Sequence, residues 1–461
     1  MSVPLPADLM VSVSGFRGRV GSALTPELVA ALAAAYGAFL QADGAGNRVL
    51  LGRDSRTSGR MFAQSAIAGL QSVGSDVVDL GIVPTPTLML AVEDAGAAGG
   101  IGVTASHNPA EWNALKFAAG DGSFLDPARM ARFQASLEDA AIPRASWDAL
   151  GSLEHDEGAI ARHLERILAL SVLDVTGLRK RRFKVALDCV RGAGGLMMPE
   201  LLDRLGCEVI ATGLEVDGRF PRDPEPTAAN LGELRELVFR SGADVGFAVD
   251  PDVDRLSLVA GDGEALGEDF TLALASAVVL RRTPGVVVTN LSTSRIVEDV
   301  AAAFRSPVVR APVGEINVSD RMRVEEAVVG GEGNGGVILP ELHLTRDAPV
   351  GAALILQYLL DEAVPLREAV ARLPSYTIVK EKLAFPREVI GEAYRRIEEE
   401  MDGADVNRDD GLRLAWPDER EWLHVRPSGT EPIVRLIAEA PEEDRARLLL
   451  QRAGACMATV R

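Results

Sequence analysis

The chain has 461 residues, of which 47% are hydrophobic and 25% are charged, and its formal net charge is −19. The length predicts about three domains, and the apolar fraction is sufficient for a large buried core. The acidic balance argues against a general nucleic-acid-binding protein, which needs a basic surface, although a local cluster of arginines can still bind an anionic ligand.

The cysteines and the N-terminal segment indicate in which cellular compartment the protein is expected. Cys189, Cys207 and Cys456 are odd in number and widely spaced, so we expect neither a disulfide framework nor a Cys/His zinc site. The N-terminal segment lacks the pattern of a signal peptide, and no apolar run approaches the roughly 20 residues that span a bilayer. We therefore expect a soluble, cytoplasmic protein with no nucleic-acid or membrane partner.

Short apolar runs, glycine-containing turns and longer helical stretches alternate along the chain. Strands are predicted at residues 49–51, 99–103, 185–188, 245–249 and 286–288, and helical stretches lie between them, as at residues 26–40. This alternation predicts an α/β fold with sheets rich in parallel strands. In such sheets, ligands bind at the carboxyl ends of the strands.

The first candidate site follows the predicted strand 99–103. Residues 104–109 read Thr-Ala-Ser-His-Asn-Pro and place Ser106 in a loop beside His107, with Lys116 further along. A serine hydroxyl needs a neighbouring base, cation or metal to react. Taken alone, the segment is equally typical of an ordinary turn, since Asn-Pro initiates turns and Ser and Thr cap them.

The second candidate site follows the predicted strand 245–249. Asp250, Asp252 and Asp254 stand at alternate positions of the segment Asp-Pro-Asp-Val-Asp-Arg, and three carboxylates can converge on a hard cation such as Mg²⁺. A solvated acidic loop is the alternative. A calcium-binding EF-hand loop is excluded, because Arg255 and Gly261 occupy the positions where it needs glycine and glutamate.

Two further loops carry polar groups suited to a phosphorylated sugar. Residues 330–336 are rich in glycine and present Glu332 and Asn334, which suit sugar hydroxyls. Residues 426–432, Arg-Pro-Ser-Gly-Thr-Glu-Pro, offer guanidinium, hydroxyl and backbone donors that suit a phosphate dianion. Either loop alone is also compatible with an ordinary turn. Together, the four sites indicate phosphoryl transfer to or from a sugar phosphate.

These four motifs, in this order, resemble the α-D-phosphohexomutase superfamily, which includes phosphoglucosamine mutases and phosphomannomutase/phosphoglucomutases. The resemblance covers essentially the whole chain, with shorter similar stretches at residues 15–18, 52–56 and 312–314. It implies three related mixed-sheet α/β domains and a smaller C-terminal α+β domain around a central active-site cleft. We expect either a monomer or a homodimer.

The motifs allow the four expected domains to be placed on the chain. Domain I, with the phosphoserine loop, is expected at residues 1–146, and domain II, ending at the metal loop, at 147–249. Domain III, with the sugar-binding loop, is expected at 250–370, and domain IV, with the phosphate-binding loop, at 371–461.

The resemblance also implies roles for individual residues. Ser106 would carry a phosphate that completes the Mg²⁺ shell of Asp250, Asp252 and Asp254. Transfer of that phosphate to the substrate would give a hexose 1,6-bisphosphate, which turns over in the cleft and returns its other phosphate to Ser106. Lys116 and Arg17 are candidates for proton transfer or charge stabilisation, and His107 for orienting the serine. The implied substrate-binding residues are Arg255, Glu332, Asn334, Arg426, Ser428, Gly429, Thr430 and Arg435.

The sequence departs from the usual pattern of the superfamily at two places. Ala114 stands before Leu115-Lys116 where a glycine is usual. The sugar loop has Asn334 where serine is usual and Gly336 where a histidine with an acid/base role is usual. His343 or the pair Arg346-Asp347 could take over part of that role.

The glycine-rich form of the sugar loop resembles a subgroup better known from archaea. We favour glucosamine 6-phosphate as the substrate, with phosphomannomutase/phosphoglucomutase activity as the alternative. A haloacid-dehalogenase-type phosphatase, with Asp250 as the nucleophile, would leave residues 104–109 and 426–432 unexplained. A non-enzymatic sensor of sugar phosphate or Mg²⁺ is a further alternative, and nothing in the sequence favours it.

Overall fold

The computed structural model describes residues 3–139, 142–428 and 433–460. The strands are β1 (Met10–Ser12), β2 (Gly15–Arg19), β3 (Arg48–Arg53), β4 (Asp76–Ile82), β5 (Gly99–Val103), β6 (Trp112–Ala119), β7 (Leu153–His155), β8 (Lys184–Asp188), β9 (Glu208–Thr212), β10 (Val245–Val249), β11 (Leu256–Ala260), β12 (Val287–Asn290), β13 (Val308–Ala311), β14 (Val329–Glu332), β15 (Gly336–Ile338), β16 (Thr377–Ala384), β17 (Asp405–Asn407), β18 (Leu412–Trp416), β19 (Glu421–Pro427) and β20 (Ile433–Ala440).

The helices lie between these strands. They are α1 (Pro26–Ala42), α2 (Gly59–Gln71), α3 (Thr85–Asp94), α4 (Pro127–Asp139), α5 (Ala159–Leu168), α6 (Val175–Arg181), α7 (Met198–Arg204), α8 (Gly232–Ser241), α9 (Asp269–Arg282), α10 (Ile296–Ala303), α11 (Glu315–Val324), α12 (Ala348–Glu362), α13 (Leu366–Ala371), α14 (Ile390–Glu400) and α15 (Glu443–Ala458). Short 3₁₀ turns occupy Ala193–Leu196, Ala228–Asn230 and Arg387–Val389.

The first sheet has the strand order β1-β2-β6-β5-β3-β4-β7. β3 runs parallel to β4 and β5, whereas β6 runs antiparallel to β5. The apolar and glycine residues of β5 are buried throughout, as the sequence predicts for a central strand. The register places Lys116 of β6 opposite Gly102 of β5, so that the lysine returns to the strand end that carries the Ser106 loop.

The second and third sheets repeat a mixed arrangement, in the orders β11-β10-β8-β9 and β13-β12-β14-β15. In each sheet an antiparallel hairpin closes the edge beside the parallel strands. The β10–β11 hairpin carries the acidic loop at residues 250–255, and the β14–β15 hairpin carries the glycine-rich loop at 333–335. Both loops are therefore held between paired strands.

The fourth sheet differs from the other three. Its order is β16-β20-β19-β18-β17, and every neighbouring pair of strands is antiparallel. α14 and α15 pack on it around a separate apolar core that includes Ile397, Leu436 and Leu449. The architecture confirms the predicted three mixed-sheet α/β units followed by a smaller α+β unit.

The largest buried core joins the second and third sheets into one apolar interior. It contains Val245 of β10, Leu272 of α9, Val287 of β12 and Leu354 of α12. Full burial of one such side chain stabilises the fold by about 1.5–3 kcal/mol.

In the described parts of the chain, no helix is long and apolar enough to cross a membrane. The apolar faces of α9 and α12 are covered within this core.

Helix α12 begins directly behind the candidate site. Asp347 is its N-cap residue, because Oδ1 of Asp347 accepts a hydrogen bond of 3.0 Å from the Val350 amide. Pro349 stands in the first turn, where a missing amide hydrogen is tolerated. This start fixes the position of Arg346, which immediately precedes the cap.

Two buried histidines meet Asp347 where α3, α5 and the start of α12 come together. Nε2 of His163 and Nε2 of His343 each lie 2.8 Å from Oδ2 of Asp347, and Nδ1 of His163 lies 2.8 Å from the Thr87 hydroxyl. Burial opposes ionisation of Asp347, but the histidines outweigh it and hold its pKa well below the usual range. The ligand atoms of these three residues are close enough to hold a metal ion. A metal-bound histidine almost always donates a hydrogen bond from its other ring nitrogen, but Nδ1 of His343 has no hydrogen-bond partner within the described residues. Hydrogen bonding therefore accounts for this junction.

Candidate active site

Ser106 follows β5 in an uncommon backbone conformation. Its φ of 48° lies in the left-handed region, which non-glycine residues adopt rarely and mostly where surrounding contacts enforce it. Its amide donates a hydrogen bond of 3.0 Å to the Thr104 hydroxyl, and its own hydroxyl lies 2.8 Å from Oδ2 of Asp250. The loop thus turns the buried Ser106 hydroxyl towards the acidic loop.

A buried arginine holds the serine loop in this shape. The Arg56 guanidinium donates hydrogen bonds of 2.6–2.9 Å to four backbone carbonyls of the loop, and its Nε pairs with Asp54 at 3.0 Å. The carbonyls are those of Ser106, Asn108, Pro109 and Trp112. Sequence reasoning did not assign a role to Arg56, and the only signal was its place in the similar stretch 52–56.

The acidic loop brings its three carboxylates together. Asp250, Asp252 and Asp254 are buried, and their ligating oxygens lie within 4.8 Å of one another. Between the last two, Val253 has a φ of 63°, which a β-branched residue adopts only under strong constraint. Burial and the neighbouring aspartates raise the pKa of Asp250 well above the usual value, so this geometry favours a bound cation.

In Asp252 and Asp254, one carboxylate oxygen accepts hydrogen bonds from the protein and the other accepts none. Oδ2 of Asp252 accepts from Lys116 Nζ at 2.7 Å and from the Thr85 hydroxyl at 2.8 Å. Oδ2 of Asp254 accepts from Arg346 Nη2 at 2.5 Å. The two Oδ1 atoms are buried and have no hydrogen-bond partner in the described structure. Buried polar atoms are normally satisfied, so these oxygens fit the hard-cation ligands that Mg²⁺ takes.

Positively charged side chains lie close to His107 and Asn108, the two residues that follow Ser106. Arg17 Nη1 donates to Asn108 Oδ1 at 2.5 Å, and burial lowers the pKa of Arg17. Arg255, burial and Arg17 together lower the pKa of His107 to about 2. His107 Nδ1 lies 3.4 Å from the Ser106 hydroxyl and stays neutral at physiological pH, which fits an orienting role.

The sugar loop presents Glu332 in a dense hydrogen-bond network. Oε1 of Glu332 accepts from Asn290 Nδ2 at 2.8 Å and from the Gly314 amide at 2.9 Å, and Oε2 accepts from Arg346 Nη1 at 2.6 Å. Burial alone would raise the pKa of Glu332, but Arg346 and the two hydrogen bonds to Oε1 together outweigh it, and the pKa is lowered. Asn334 is half-buried, and its side chain lies 3.5 Å from Glu332.

The C-terminal unit places two arginines side by side. Arg426 of β19 and Arg435 of β20 are opposite each other in the antiparallel register, so their side chains leave the same face of the sheet. Arg426 Nε lies 2.8 Å from Asp410, which also accepts from the Val313 amide at 3.1 Å. Ser428 is buried at the end of β19. Gly429 and Thr430 lie outside the described residues.

Comparison with known proteins identifies the family of the chain. Sequence models of the phosphoglucomutase/phosphomannomutase family match in order: α/β/α domain I at residues 9–141, domain II at 161–263, domain III at 267–376 and the C-terminal domain at 378–453. The chain belongs to this family. As a phosphohexomutase it is an isomerase that transfers a phosphoryl group within a sugar phosphate.

Relatives align with this phosphohexomutase over nearly its full length. A probable phosphoglucosamine mutase of Methanopyrus kandleri is 39% identical over 95% of each chain. A phosphoglucomutase/phosphomannomutase of Thermococcus kodakarensis is 36% identical over 95% of this chain and 96% of its own. The crystal structure of a family member from Burkholderia thailandensis has 26% identity and a TM-score of 0.85, and the match covers 98% of each chain.

The structure of the phosphohexomutase brings several predicted residues into direct contact. Ser106 meets Asp250, Lys116 meets Asp252, and Arg255 Nε lies 3.8 Å from Asp254. The residues that hold them were not predicted from the sequence. These are Arg56 and Asp54 behind the serine loop, Thr85 beside Asp252, and Glu315 beside Arg346.

Proposed function

We propose that this phosphohexomutase interconverts glucosamine 6-phosphate and glucosamine 1-phosphate through a phosphoserine at Ser106 and a 1,6-bisphosphate intermediate. The observation that carries the proposal is the contact of 2.8 Å between the Ser106 hydroxyl and Asp250, beside two carboxylate oxygens that have no hydrogen-bond partner within the described chain. A serine in that position can pass a phosphoryl group to a sugar hydroxyl while the negative charge of the phosphoryl group is neutralised.

In this proposal the residues of the serine loop prepare the transfer. Bound Mg²⁺ would supply charge neutralisation on the transferring group. Arg56 fixes the loop carbonyls, and His107 orients the serine. The bond between phosphorus and the Ser106 oxygen breaks as the substrate hydroxyl oxygen bonds to phosphorus, and the proton of that hydroxyl ends on the Ser106 oxygen. The ion pair of 2.7 Å between Lys116 and Asp252 fits charge stabilisation by Lys116 better than removal of the hydroxyl proton.

The remaining candidates bind the part of the substrate that does not react. The paired arginines Arg426 and Arg435, with Ser428, Gly429 and Thr430, would hold the other phosphate of the sugar in either orientation. Two guanidinium groups on one face of a sheet suit a dianion. Arg255, the last residue of the acidic loop, would contact the transferring phosphate. Glu332 would accept hydrogen bonds from sugar hydroxyls, and Asn334 could accept or donate them.

The choice of glucosamine phosphate rests on relatives. The Methanopyrus protein at 39% identity bears the name probable phosphoglucosamine mutase, whereas the Thermococcus protein at 36% bears the name phosphoglucomutase/phosphomannomutase. Activity on mannose and glucose phosphates is therefore the second candidate. We also propose that the enzyme acts in the cytoplasm on a free sugar phosphate, as a monomer or a homodimer.

A coupled assay separates these alternatives. Purified protein with Mg²⁺ and a trace of glucose 1,6-bisphosphate is given glucosamine 6-phosphate, mannose 1-phosphate or glucose 1-phosphate separately. Isomerisation dominated by the glucosamine phosphate supports the proposal, and comparable rates on mannose and glucose phosphates support the second candidate. Release of inorganic phosphate without isomerisation would contradict both.

A further inference from the structure

The sugar loop ends at a glycine whose missing side chain makes room for Arg346. A Cβ atom at Gly336 would overlap Cδ of Arg346 and would lie 2.9 Å from its Cγ. Real Cβ atoms do not approach other atoms so closely. Arg346 can therefore lie against the loop only because residue 336 has no side chain, so that Gly336 and Arg346 form one packing unit.

Arg346 contacts three carboxylates that belong to different elements. Its guanidinium lies 2.6 Å from Glu332 at the end of β14, 2.5 Å from Asp254 in the acidic loop, and 3.2 Å from Glu315 at the start of α11. The Arg346 side chain is only 10% exposed. A planar guanidinium can bind separate carboxylates with a fixed angle between them, which a lysine ammonium cannot reproduce.

The charges explain why this arrangement needs arginine. Burial raises the pKa of Glu315 to about 7 even though Arg346 lies beside it, which shows how unfavourable ionised carboxylates are at this place. Arg346 is buried against all three carboxylates, so its positive charge compensates theirs. Without that cation, neither Glu332 nor Asp254 would have a compensating charge on the oxygen that Arg346 now contacts.

We infer that Arg346 is a positioning residue of the transfer reaction, and that it couples the sugar loop to the acidic loop. It fixes one oxygen of Glu332, the proposed reader of sugar hydroxyls, and one oxygen of Asp254, so that only Oδ1 of Asp254 is left for a cation. The inference rests on the proposed function, since it assigns to Arg346 an effect on both substrate binding and turnover. Lys116 holds Asp252 in the corresponding way on the other side of the acidic loop.

The expected kinetic result is a change in both parameters. Because Arg346 acts through Glu332, R346K should raise KM for the sugar phosphate, and because it also acts through Asp254, R346K should lower kcat. Loss of a residue that orients metal or substrate ligands typically reduces activity by about 10–100-fold, which is the fall in kcat/KM expected here. R346K keeps the buried charge and therefore also guards against simple misfolding.

A double-mutant cycle tests the packing unit. G336A should displace Arg346 and lower kcat/KM by about the same 10–100-fold, whereas adding G336A to R346A should change it little, because the clash is gone. The matched control is G330A, whose Cβ would meet Met322 and the Val288 carbonyl instead. Its effect on the melting temperature should be the same with arginine or alanine at position 346.

Several outcomes would overturn the inference. They are wild-type kinetics in G336A, an equal effect of G336A in both backgrounds, or wild-type kcat and KM in R346K. If the wild-type enzyme isomerises no sugar phosphate, the proposed function fails separately. The rise in melting temperature caused by glucose 1,6-bisphosphate then still tests Arg346, because coupling predicts that R346K reduces this rise and an uninvolved arginine predicts that it does not.

Discussion

The Ser106 hydroxyl lies 2.8 Å from Oδ2 of Asp250, although the two residues are 144 positions apart in the chain. Each residue stands at the carboxyl end of a buried strand, β5 for the serine and β10 for the aspartate. The two strands belong to different sheets, so the contact joins the first α/β unit to the second. The proposed phosphoryl carrier and the candidate cation site are therefore assembled only in the complete fold.

Ser106→Ala should abolish isomerisation while leaving the fold intact. The hydroxyl is the proposed phosphoryl carrier. Its removal deletes one hydrogen bond to Asp250, so the free energy of unfolding should change by only about 1 kcal/mol. Mutase turnover and urea denaturation measure the two effects. A matched control is Ser123→Ala, which removes another buried serine hydroxyl from the first unit, and should keep full activity. Substantial isomerisation by Ser106→Ala would contradict the assignment.

Arg56→Lys should impair turnover because a lysine cannot hold four loop carbonyls and Asp54 together. Disturbed support of a catalytic group is expected to reduce kcat by about 10–100-fold. Breaking a buried ion pair outright, as in Arg56→Ala, should cost about 3–5 kcal/mol of stability. Arg48→Lys, at an exposed position of the preceding strand β3, serves as the control for both measurements. Unchanged kcat in Arg56→Lys would show that the loop keeps its shape without this arginine.

Mg²⁺ should raise the melting temperature, and EDTA should abolish turnover until Mg²⁺ is restored. The physical reason is that a cation binding the folded acidic loop stabilises it by mass action and relieves repulsion among the buried carboxylates. Asp254→Asn should weaken the thermal shift. Asp361→Asn, which removes an ion-paired carboxylate on α12 away from the loop, should leave the shift intact. An equal Mg²⁺ effect in both variants would point to another cation site.

The free energy of unfolding should decrease as the pH is lowered, because of the buried residue His424. This residue of the fourth unit also contacts the third unit. Its ring lies 2.8 Å from the Ser292 hydroxyl and 2.7 Å from the Asp410 carbonyl, and burial lowers its pKa from 6.5 to about 4. Between these values only the unfolded chain takes up the proton, so stability is present above pH 6.5 and is lost as the pH falls.

The slope due to His424 should be about 1.4 kcal/mol per pH unit between pH 4 and 6.5. Urea denaturation of wild type and His424→Gln measures it, and the variant should show the smaller slope. His155→Gln, at an exposed histidine, should match wild type. Equal slopes in all three proteins would show that His424 does not cause the dependence of stability on pH.

The sequence predicted those parts of the fold that depend on local pattern. The apolar and glycine composition of β5 and β10 marks them as buried strands, and the chemistry-bearing residues follow directly after them. The pairing of strands was not predictable in the same way. The acidic loop, for example, closes an antiparallel hairpin between β10 and β11, and such a partner depends on the whole sheet.

The residues that support the site were harder to predict than the residues that form it. Nothing near Arg56 in sequence indicates that it binds carbonyls about fifty residues later. The sequence offers His343 or the pair Arg346-Asp347 as substitutes for the missing histidine, and the structure gives Arg346 and His343 different partners. Arg346 contacts the two loops, whereas His343 pairs with Asp347 in a buried junction. Such divisions depend on side-chain direction in three dimensions, which sequence spacing alone does not supply.

The most direct test is to find the residue that carries the phosphoryl group. The protein is incubated with Mg²⁺ and glucose 1,6-bisphosphate, digested, and examined by mass spectrometry beside the Ser106→Ala variant. We predict a single stable phosphate on the peptide containing Ser106, exchanged with added sugar phosphate and absent in the variant. A phosphate on Asp250, or phosphate released to solution with Ser106 unmodified, would contradict the phosphoserine account.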